Sequence, residues 1–219
     1  MIDRFRDRTE AGRLLAERLT EYTNAPDTLV LALPRGGVPV AYEIARALHL
    51  PLDICLTRKL GVPGRKELAM GAIGQGGIRV INESIVEDLG LSERAIERVA
   101  REEAIELERR DRLYRGDRPL PAIEGKTILL VDDGIATGAT LKAAILTLQA
   151  RDPRSIVVAV PVAPAETRYQ LEELVDRVVC VLEPEALMAI SAWYDDFSQT
   201  SDGEVRELLA GANRSGASD

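Results

Sequence analysis

The chain has 219 residues, and 46% of them are hydrophobic, which is enough apolar material for a sizeable core. Its formal net charge of −8 and sequence pI of about 4.9 make it a poor electrostatic partner for nucleic acid. The N-terminus is charged and no apolar run is long enough to span a bilayer. We therefore expect a cytoplasmic protein with no signal peptide and no membrane partner.

The first part of the chain is predicted to alternate helices and strands. An amphipathic helix is expected over residues 9–22, where leucines recur at helical spacing among charges. The apolar run 29–33 is typical of a strand covered on both faces, and residues 38–48 and 52–57 follow as a helix and a second strand. This order of elements indicates a parallel sheet.

The middle of the chain is predicted to contain a loop, a hairpin and a long helix. Residues 58–68 are charged and interrupted by glycine and proline, which favours a mobile loop. Residues 69–82 favour a hairpin that turns near Gln75-Gly76-Gly77. Ser92 is a predicted N-cap for a long helix, which forms an insertion over about residues 91–115.

The last part of the chain is predicted to complete the sheet and to end in a short helix. Further strands are expected at 127–131, 155–160 and 177–182, and a helix at 141–148. Residues 184–200 are irregular in pattern, Asp202 is the predicted cap of the final helix, and residues 211–219 are expected to form a disordered tail. We interpret residues 1–210 as a single domain.

The segment Ile128–Thr140 carries the most informative chemistry. It joins a buried strand to a helix, and ligands of open α/β sheets bind at such carboxyl ends. Thr137-Gly138-Ala139-Thr140 lies where the helix begins, so backbone N–H groups, the helix dipole and two hydroxyls favour a phosphate there. Asp132 and Asp133 would repel a phosphate, but they suit the hydroxyls of a ribose, with Mg²⁺ able to add to the attraction.

This segment resembles the signature for 5-phosphoribosyl-1-pyrophosphate (PRPP) of the type I phosphoribosyltransferases, which is four apolar residues, two acids and Thr-Gly-x-Thr. The resemblance implies an α/β fold with a central, mostly parallel sheet flanked by helices, a small hood and a helical insertion. It implies Mg²⁺ bound mainly through PRPP, with Asp132 and Asp133 contacting the metal indirectly. The implied PRPP-binding residues here are Asp132, Asp133, Gly134, Ile135, Ala136, Thr137, Gly138, Ala139 and Thr140.

Two further loops are similar to loops of the same family. Arg35-Gly36-Gly37 resembles the pyrophosphate loop, which often turns through a non-proline cis peptide; a plain glycine turn is the alternative. The stretch that begins at Arg58-Lys59 resembles the flexible catalytic loop, whose cations neutralise the departing pyrophosphate. Glu67 in that loop is a candidate proton acceptor for the base, and a surface charge is the alternative.

The hood that holds the base corresponds to residues 184–200 of this chain. Trp193 or Tyr194 is suited to stack on a flat ring, and a small satellite core is the alternative for either residue. Ala136 stands where hypoxanthine–guanine enzymes have an acid before Thr-Gly, as in adenine and uracil enzymes.

The whole chain is most similar to a group of bacterial phosphoribosyltransferases of unassigned acceptor, which share Asp-Arg near the start, Pro-Arg-Gly-Gly, Arg-Lys-Leu and a late aromatic–Asp-Phe-Ser run, here within 194–198. The implied reaction transfers 5-phosphoribose from PRPP to a nitrogenous base or similar small acceptor and releases pyrophosphate. The competing hypothesis is a non-catalytic regulatory protein that binds PRPP. A homodimer is expected from the resemblance alone.

Overall fold

A computed structural model describes residues 3–185 and 187–215 of the chain, without the side chains at positions 66, 67 and 213–215. The strands are β1 (Thr28–Ala32), β2 (Leu52–Ile54), β3 (Thr57–Val62), β4 (Arg65–Gly74), β5 (Arg79–Ile81), β6 (Thr127–Val131), β7 (Ser155–Val162) and β8 (Arg177–Leu182). The helices are α1 (Arg8–Glu17), α2 (Gly37–Leu48), α3 (Glu83–Asp88), α4 (Glu93–Arg115), α5 (Ala139–Gln149), α6 (Ala165–Glu172) and α7 (Asp202–Ser215).

The chain divides into two compact units. The first unit consists of Met1–Cys55, Ala122–Gly138 and Pro153–Asp219, and the second of Leu56–Pro121 and Ala139–Asp152. None of the described helices has the length and hydropathy needed to cross a membrane.

The first unit is built on a five-stranded parallel sheet in the order β2-β1-β6-β7-β8. All five residues of β1 and of β6 are buried, because central strands of a parallel sheet are covered on both faces. Helix α2 packs on β1, and α1 packs on α2. Gly12 permits that helix contact, since a Cβ there would lie 2.6 Å from the carbonyl oxygen of Val40. The predicted parallel α/β fold is confirmed.

The second unit contains a three-stranded antiparallel sheet in the order β3-β4-β5, with α4 and α5 packed on it. The predicted hairpin over residues 69–82 is confirmed, and its turn is the short 3-10 helix Gln75–Gly77. The side chain of Gln75 is buried, accepts a 3.0 Å hydrogen bond from Leu56 N and donates one of 2.6 Å to Asp111. The long helix predicted after Ser92 is also confirmed, with the Ser92 hydroxyl accepting from Ala95 N.

Several boundaries differ from the sequence predictions. Residues 58–68 form β3 and the start of β4 rather than a loop, because Leu60 and Val62 alternate with residues of the other face and are buried. The predicted helix at 9–22 ends at Glu17 and is followed by a separate 3-10 turn. Helices α3 and α6 were not predicted, since neither has a clear apolar stripe.

The C-terminal helix also differs from its prediction. It is capped by Ser201, whose hydroxyl accepts a 3.1 Å hydrogen bond from Glu204 N, whereas Asp202 is the first helical residue. The helix continues through residues 211–215, where a disordered tail was predicted. The remaining positions of that tail lie outside the described residues.

Candidate functional site

Two loops of the first unit meet at the carboxyl edge of its sheet. One follows β1 and contains Pro34, Arg35 and Gly36; the other, residues 132–138, follows β6. Because β1 and β6 are parallel neighbours, their carboxyl ends lie side by side. Leu33 N extends this pairing by donating a 2.8 Å hydrogen bond to the carbonyl oxygen of Val131. The two loops that were predicted separately to hold pyrophosphate and phosphoribose are therefore adjacent.

Two glycines allow these loops to touch. A Cβ on Gly36 would overlap the carboxylate of Asp133, and a Cβ on Gly37 would lie 2.7 Å from the carbonyl oxygen of Val131. Gly36 has an ordinary right-handed helical backbone, so glycine is needed there for space and not for conformation. The peptide bond between Pro34 and Arg35 is cis, the conformation that the resemblance implies for this loop. At the surface, Arg35 Nη1 lies 3.8 Å from Asp202 Oδ1.

The carboxylate of Asp133 is paired with Arg8, the first residue of α1. Its Oδ2 lies 2.9 Å from Arg8 Nε and 2.8 Å from Arg8 Nη2. Arg8 Nη1 donates a 2.7 Å hydrogen bond to the carbonyl oxygen of Ser198, and the guanidinium carbon lies 3.9 Å from the centroid of the Phe197 ring. The side chains of Arg8 and Asp133 are only 11% and 13% exposed. This is a largely desolvated, hydrogen-bonded ion pair rather than a surface contact.

Asp132 has a different environment. Its Oδ1 accepts a 2.9 Å hydrogen bond from the backbone N of Asp133. Burial raises the pKa of Asp132 well above its usual range, and the neighbouring Asp133 carboxylate raises it further. Burial also raises the pKa of Asp133, although the positive charge of Arg8 opposes that change. The acid pair is thus an electrostatically costly arrangement of the kind found at functional sites.

The hood segment, residues 184–200, contacts the loop at residues 132–138, which we call the acid loop. The hydroxyl of Tyr194 donates a 2.6 Å hydrogen bond to the backbone carbonyl oxygen of Asp133. Tyr194 is buried, and its ring lies 5.3 Å from that of Phe5 and 4.9 Å from that of Phe197. Burial raises the pKa of the Tyr194 hydroxyl, which stays protonated as a donor. Trp193, by contrast, is only partly buried at the edge of the same cluster.

The remaining part of the acid loop has an anchored half and an exposed half. Ile135 is buried and donates a 2.9 Å hydrogen bond to the carbonyl oxygen of Val162. Gly134 is pressed against the hood, because a Cβ there would lie 2.6 Å from Ile190 Cγ2. Gly138 has a φ of +71°, in the region that favours glycine. The residues with exposed surface are Ala136, Thr137, Ala139 and Thr140, the last two at the start of α5.

The candidate catalytic cations lie in the second unit, on β3. Arg58 Nε is 2.6 Å from Glu103 Oε2 of α4. Lys59 lines a cavity of about 530 Å³ together with Lys142 of α5 and residues of β4 and β5. The backbone of Glu67 belongs to β4, but its side chain lies outside the described part of the structure.

Arg8 is a residue of this candidate site that the sequence analysis does not single out. It pairs with an acid 125 positions away, and no local pattern identifies such a partner. Two sequence features are relevant, the early Asp-Arg and the late aromatic–Asp-Phe-Ser run, but the sequence alone does not place them next to each other. The structure joins them, since Phe5 N donates to Trp193 O and Asp195 N donates to Phe5 O, at 2.9 and 2.8 Å.

Cys55 and Cys180 are both buried, and no disulfide joins them. Burial raises the pKa of the Cys180 thiol to about 12. Among the described residues, no group of three or more histidine, cysteine or acidic side chains is arranged to hold a metal ion.

Comparison with known proteins gives a consistent assignment. Two Mycobacterium tuberculosis proteins, from strains CDC 1551 and H37Rv and provisionally named phosphoribosyl transferases, are 44% identical over 210 residues. The match covers 96% of this chain and 47% of each relative, so the chain spans about half the length of these curated relatives. The crystal structure of TT1426 from Thermus thermophilus is 41% identical, with a TM-score of 0.86 over 95% of this chain and 98% of that one.

The family model of the phosphoribosyl transferase domain matches residues 6–191. This range includes both sheet-edge loops, Arg8 and the start of the hood segment. The chain belongs to the phosphoribosyl transferase domain family.

Proposed function

We propose that this protein transfers 5-phosphoribose from PRPP to a nitrogenous base or a similar small acceptor, with release of pyrophosphate. The observation that carries the proposal is the contact between the Gly36 loop and the Asp133 loop at one sheet edge. A pyrophosphate group and a ribose are joined at C1 of PRPP, so their binding loops must be adjacent. Family membership supports the same conclusion, although the two curated relatives are longer than this chain.

The two halves of the acid loop suit the two halves of phosphoribose. Thr137 and Thr140 are exposed beside the N-terminus of the 11-residue helix α5, where N–H groups and hydroxyls favour the 5′-phosphate. The acid pair lies at the preceding end of the loop and supplies acceptors for ribose hydroxyls. The loop of Arg35, Gly36 and Gly37 is assigned to the pyrophosphate.

The reaction is a displacement at the ribose C1. A bond forms between the acceptor nitrogen and C1 as the bond from C1 to the pyrophosphate oxygen breaks, and the electron pair of that bond leaves with pyrophosphate. The protein's part is to position the reactants, to neutralise charge and to exclude water. We assign charge neutralisation to Arg58 and Lys59 and proton acceptance from the base to Glu67. We assign contact with the base to Trp193 of the hood rather than to Tyr194, the other predicted stacking residue, because Tyr194 is buried and its hydroxyl is bonded to the loop backbone.

The family also implies Mg²⁺. The two adjacent carboxylates, Asp132 and Asp133, supply oxygen atoms beside the proposed ribose position, which suits an ion that is held mainly by PRPP oxygens and water. Asp132 and Asp133 would contact it indirectly, through water. When bound, the ion would offset negative charge on the pyrophosphate.

A panel of bases tests the proposal. The protein is incubated with PRPP and Mg²⁺ and with each purine, pyrimidine or related base in turn, and pyrophosphate is measured. We expect release with at least one acceptor and no release from the variant carrying Asp132→Asn and Asp133→Asn, whose fold is checked by circular dichroism. PRPP binding without pyrophosphate release for any acceptor would instead support the regulatory hypothesis, and absence of both would refute the proposal.

A further inference from the structure

The two acids of the loop differ in what their carboxylates already contact. Oδ2 of Asp133 accepts from both Nε and Nη2 of Arg8, at 2.9 and 2.8 Å, and lies against the α-carbon of Gly36, where a Cβ would overlap it. Asp132 accepts a hydrogen bond from the next backbone N–H. Among the side chains that the structure describes, Asp133 has a cationic partner within ion-pair distance and Asp132 has none.

Arg8 is itself held from several directions. Its Nη1 is bonded to Ser198 O at 2.7 Å, and its guanidinium lies over the Phe197 ring. Its backbone is fixed at the start of α1, where the carboxylate of Asp7 caps the helix by accepting from Glu10 N at 2.8 Å. An arginine with so many contacts is pre-organised, so little freedom is lost when it holds a carboxylate.

The Asp133 carboxylate packs against the loop that contains Gly36. The Asp133 oxygen that meets Arg8 is the same oxygen that faces Gly36, so Arg8 presses Asp133 against the loop assigned to pyrophosphate. The Tyr194 hydroxyl fixes the backbone of the same residue at 2.6 Å. Asp133 is therefore immobilised through both its side chain and its main chain, whereas the Asp132 carboxylate keeps acceptor capacity for a ligand.

We infer that Arg8 is a positioning residue that commits Asp133 to bracing the Gly36 loop, which leaves Asp132 as the acid that accepts hydrogen bonds from the ribose hydroxyls. This inference rests on the proposed function, since it divides the work of the acid pair between two substrate groups. It also explains why the early Asp-Arg and the late aromatic–Asp-Phe-Ser run occur together in one chain. The first supplies Arg8, and the second supplies Phe197 and Ser198, which contact its guanidinium.

Calorimetric titration with two probes, PRPP and inorganic pyrophosphate, each with Mg²⁺, tests the inference. Arg8→Met and Asp133→Asn should each lower the affinity for both probes by about 10-fold, the loss expected when a charged hydrogen bond is removed. The double variant should lose no more affinity than the more affected single variant, because both substitutions remove the same ion pair between Arg8 and Asp133. Asp132→Asn should lower the affinity for PRPP by about 100-fold and leave the affinity for pyrophosphate within about twofold of that of the unsubstituted chain.

Two further variants separate positioning from loss of folding. Arg13→Met removes another arginine of α1, which pairs with Glu43 at 3.1 Å, and should leave both affinities unchanged. Arg8→Lys keeps the charge but offers one ammonium to Asp133 and Ser198 O, so its affinities should lie between those of the unsubstituted chain and Arg8→Met. It also serves as the test if Arg8→Met does not fold, as judged by its thermal transition.

Three results would overturn the division of roles alone: loss of PRPP affinity in Asp133→Asn with full pyrophosphate affinity, additive losses in the double variant, or full PRPP affinity in Asp132→Asn. Each would mean that Asp133 contacts the ribose directly or that Asp132 does not. Failure of the unsubstituted chain to bind PRPP would overturn the proposed function and the division of roles with it.

Discussion

The hydroxyl of Tyr194 donates a 2.6 Å hydrogen bond to the backbone carbonyl oxygen of Asp133, which links the buried hood cluster to the acid loop. Tyr194 is buried, so its hydroxyl cannot exchange this bond for one to water. Their contact couples the stability of the hood to the geometry of the loop.

We expect Tyr194→Phe to lower the thermal midpoint by about 2–4 °C, which corresponds to about 1 kcal/mol in a chain of this size. PRPP affinity should also fall, because Asp133 loses one of its anchors. Differential scanning calorimetry and PRPP titration measure the two effects. Tyr169→Phe is the control, since Tyr169 is 59% exposed. Equal midpoints for the two variants would contradict the coupling.

Gly36→Ala tests the contact between the two sheet-edge loops. The added methyl group would overlap the Asp133 carboxylate, so either the carboxylate or the loop backbone must move, at a cost of about 1–3 kcal/mol. We expect a lower thermal midpoint and weaker pyrophosphate binding. Gly203→Ala is the matched control: its Cβ would meet only Ser201 Oγ at 3.7 Å, inside a helix that favours alanine. Wild-type pyrophosphate affinity in Gly36→Ala would show that the loops do not need this contact.

The sequence was sufficient for the sheet and for the loop after β6. Runs such as 29–33 and 128–131 are apolar throughout, as expected for strands that are covered on both faces. Turn residues then mark the carboxyl ends of these strands, so the positions of Gly36 and Asp132 on one edge follow from the parallel order. Such features are local, and local patterns are legible in a single sequence.

Two other features could not be predicted because they depend on distant partners. The charges at Arg58 and Lys59 suggested a loop, but the segment is a strand because Arg58 pairs with Glu103 and Leu60 is buried under α4 and its neighbours. Arg8 gave no signal as part of a site, since its partners Asp133 and Ser198 are remote in sequence. Only the folded structure shows that the Arg8 side chain is largely buried and bonded to these partners.

Asp132→Asn is expected to stabilise the fold at neutral pH. Burial raises the pKa of Asp132 in the folded chain above its value of about 3.9 in the unfolded one. The stability that protonated Asp132 contributes is therefore complete below the unfolded pKa and is lost as pH rises through the folded pKa. At pH 7 the variant should melt about 2–4 °C higher than the unsubstituted chain, and the difference should vanish towards pH 4.

Thermal scans between pH 4 and 8 in buffer without divalent ions measure this effect. Asp196→Asn supplies a control of opposite sign, because hydrogen bonds from Ser198 lower the pKa of the Asp196 carboxyl. Its contribution is present above the unfolded pKa and is lost as pH falls through the folded pKa, so that variant should be destabilised at pH 7. A lower melting point for Asp132→Asn at pH 7 would refute the electrostatic cost assigned to the acid pair.

Arg58 and Arg79 offer a matched test of the catalytic cation. Each lies on the small antiparallel sheet and pairs with a glutamate of α4, Arg58 with Glu103 at 2.6 Å and Arg79 with Glu97 at 2.5 Å. If Arg58 neutralises the departing pyrophosphate, Arg58→Met should lower kcat by about 100-fold and change the PRPP Kd by less than about twofold. Arg79→Met removes a similar ion pair and should leave kcat unchanged, because exposed ion pairs contribute little to stability. Steady-state pyrophosphate release with an acceptor from the base panel measures both variants, and an equal kcat for the two would remove Arg58 from the proposed mechanism.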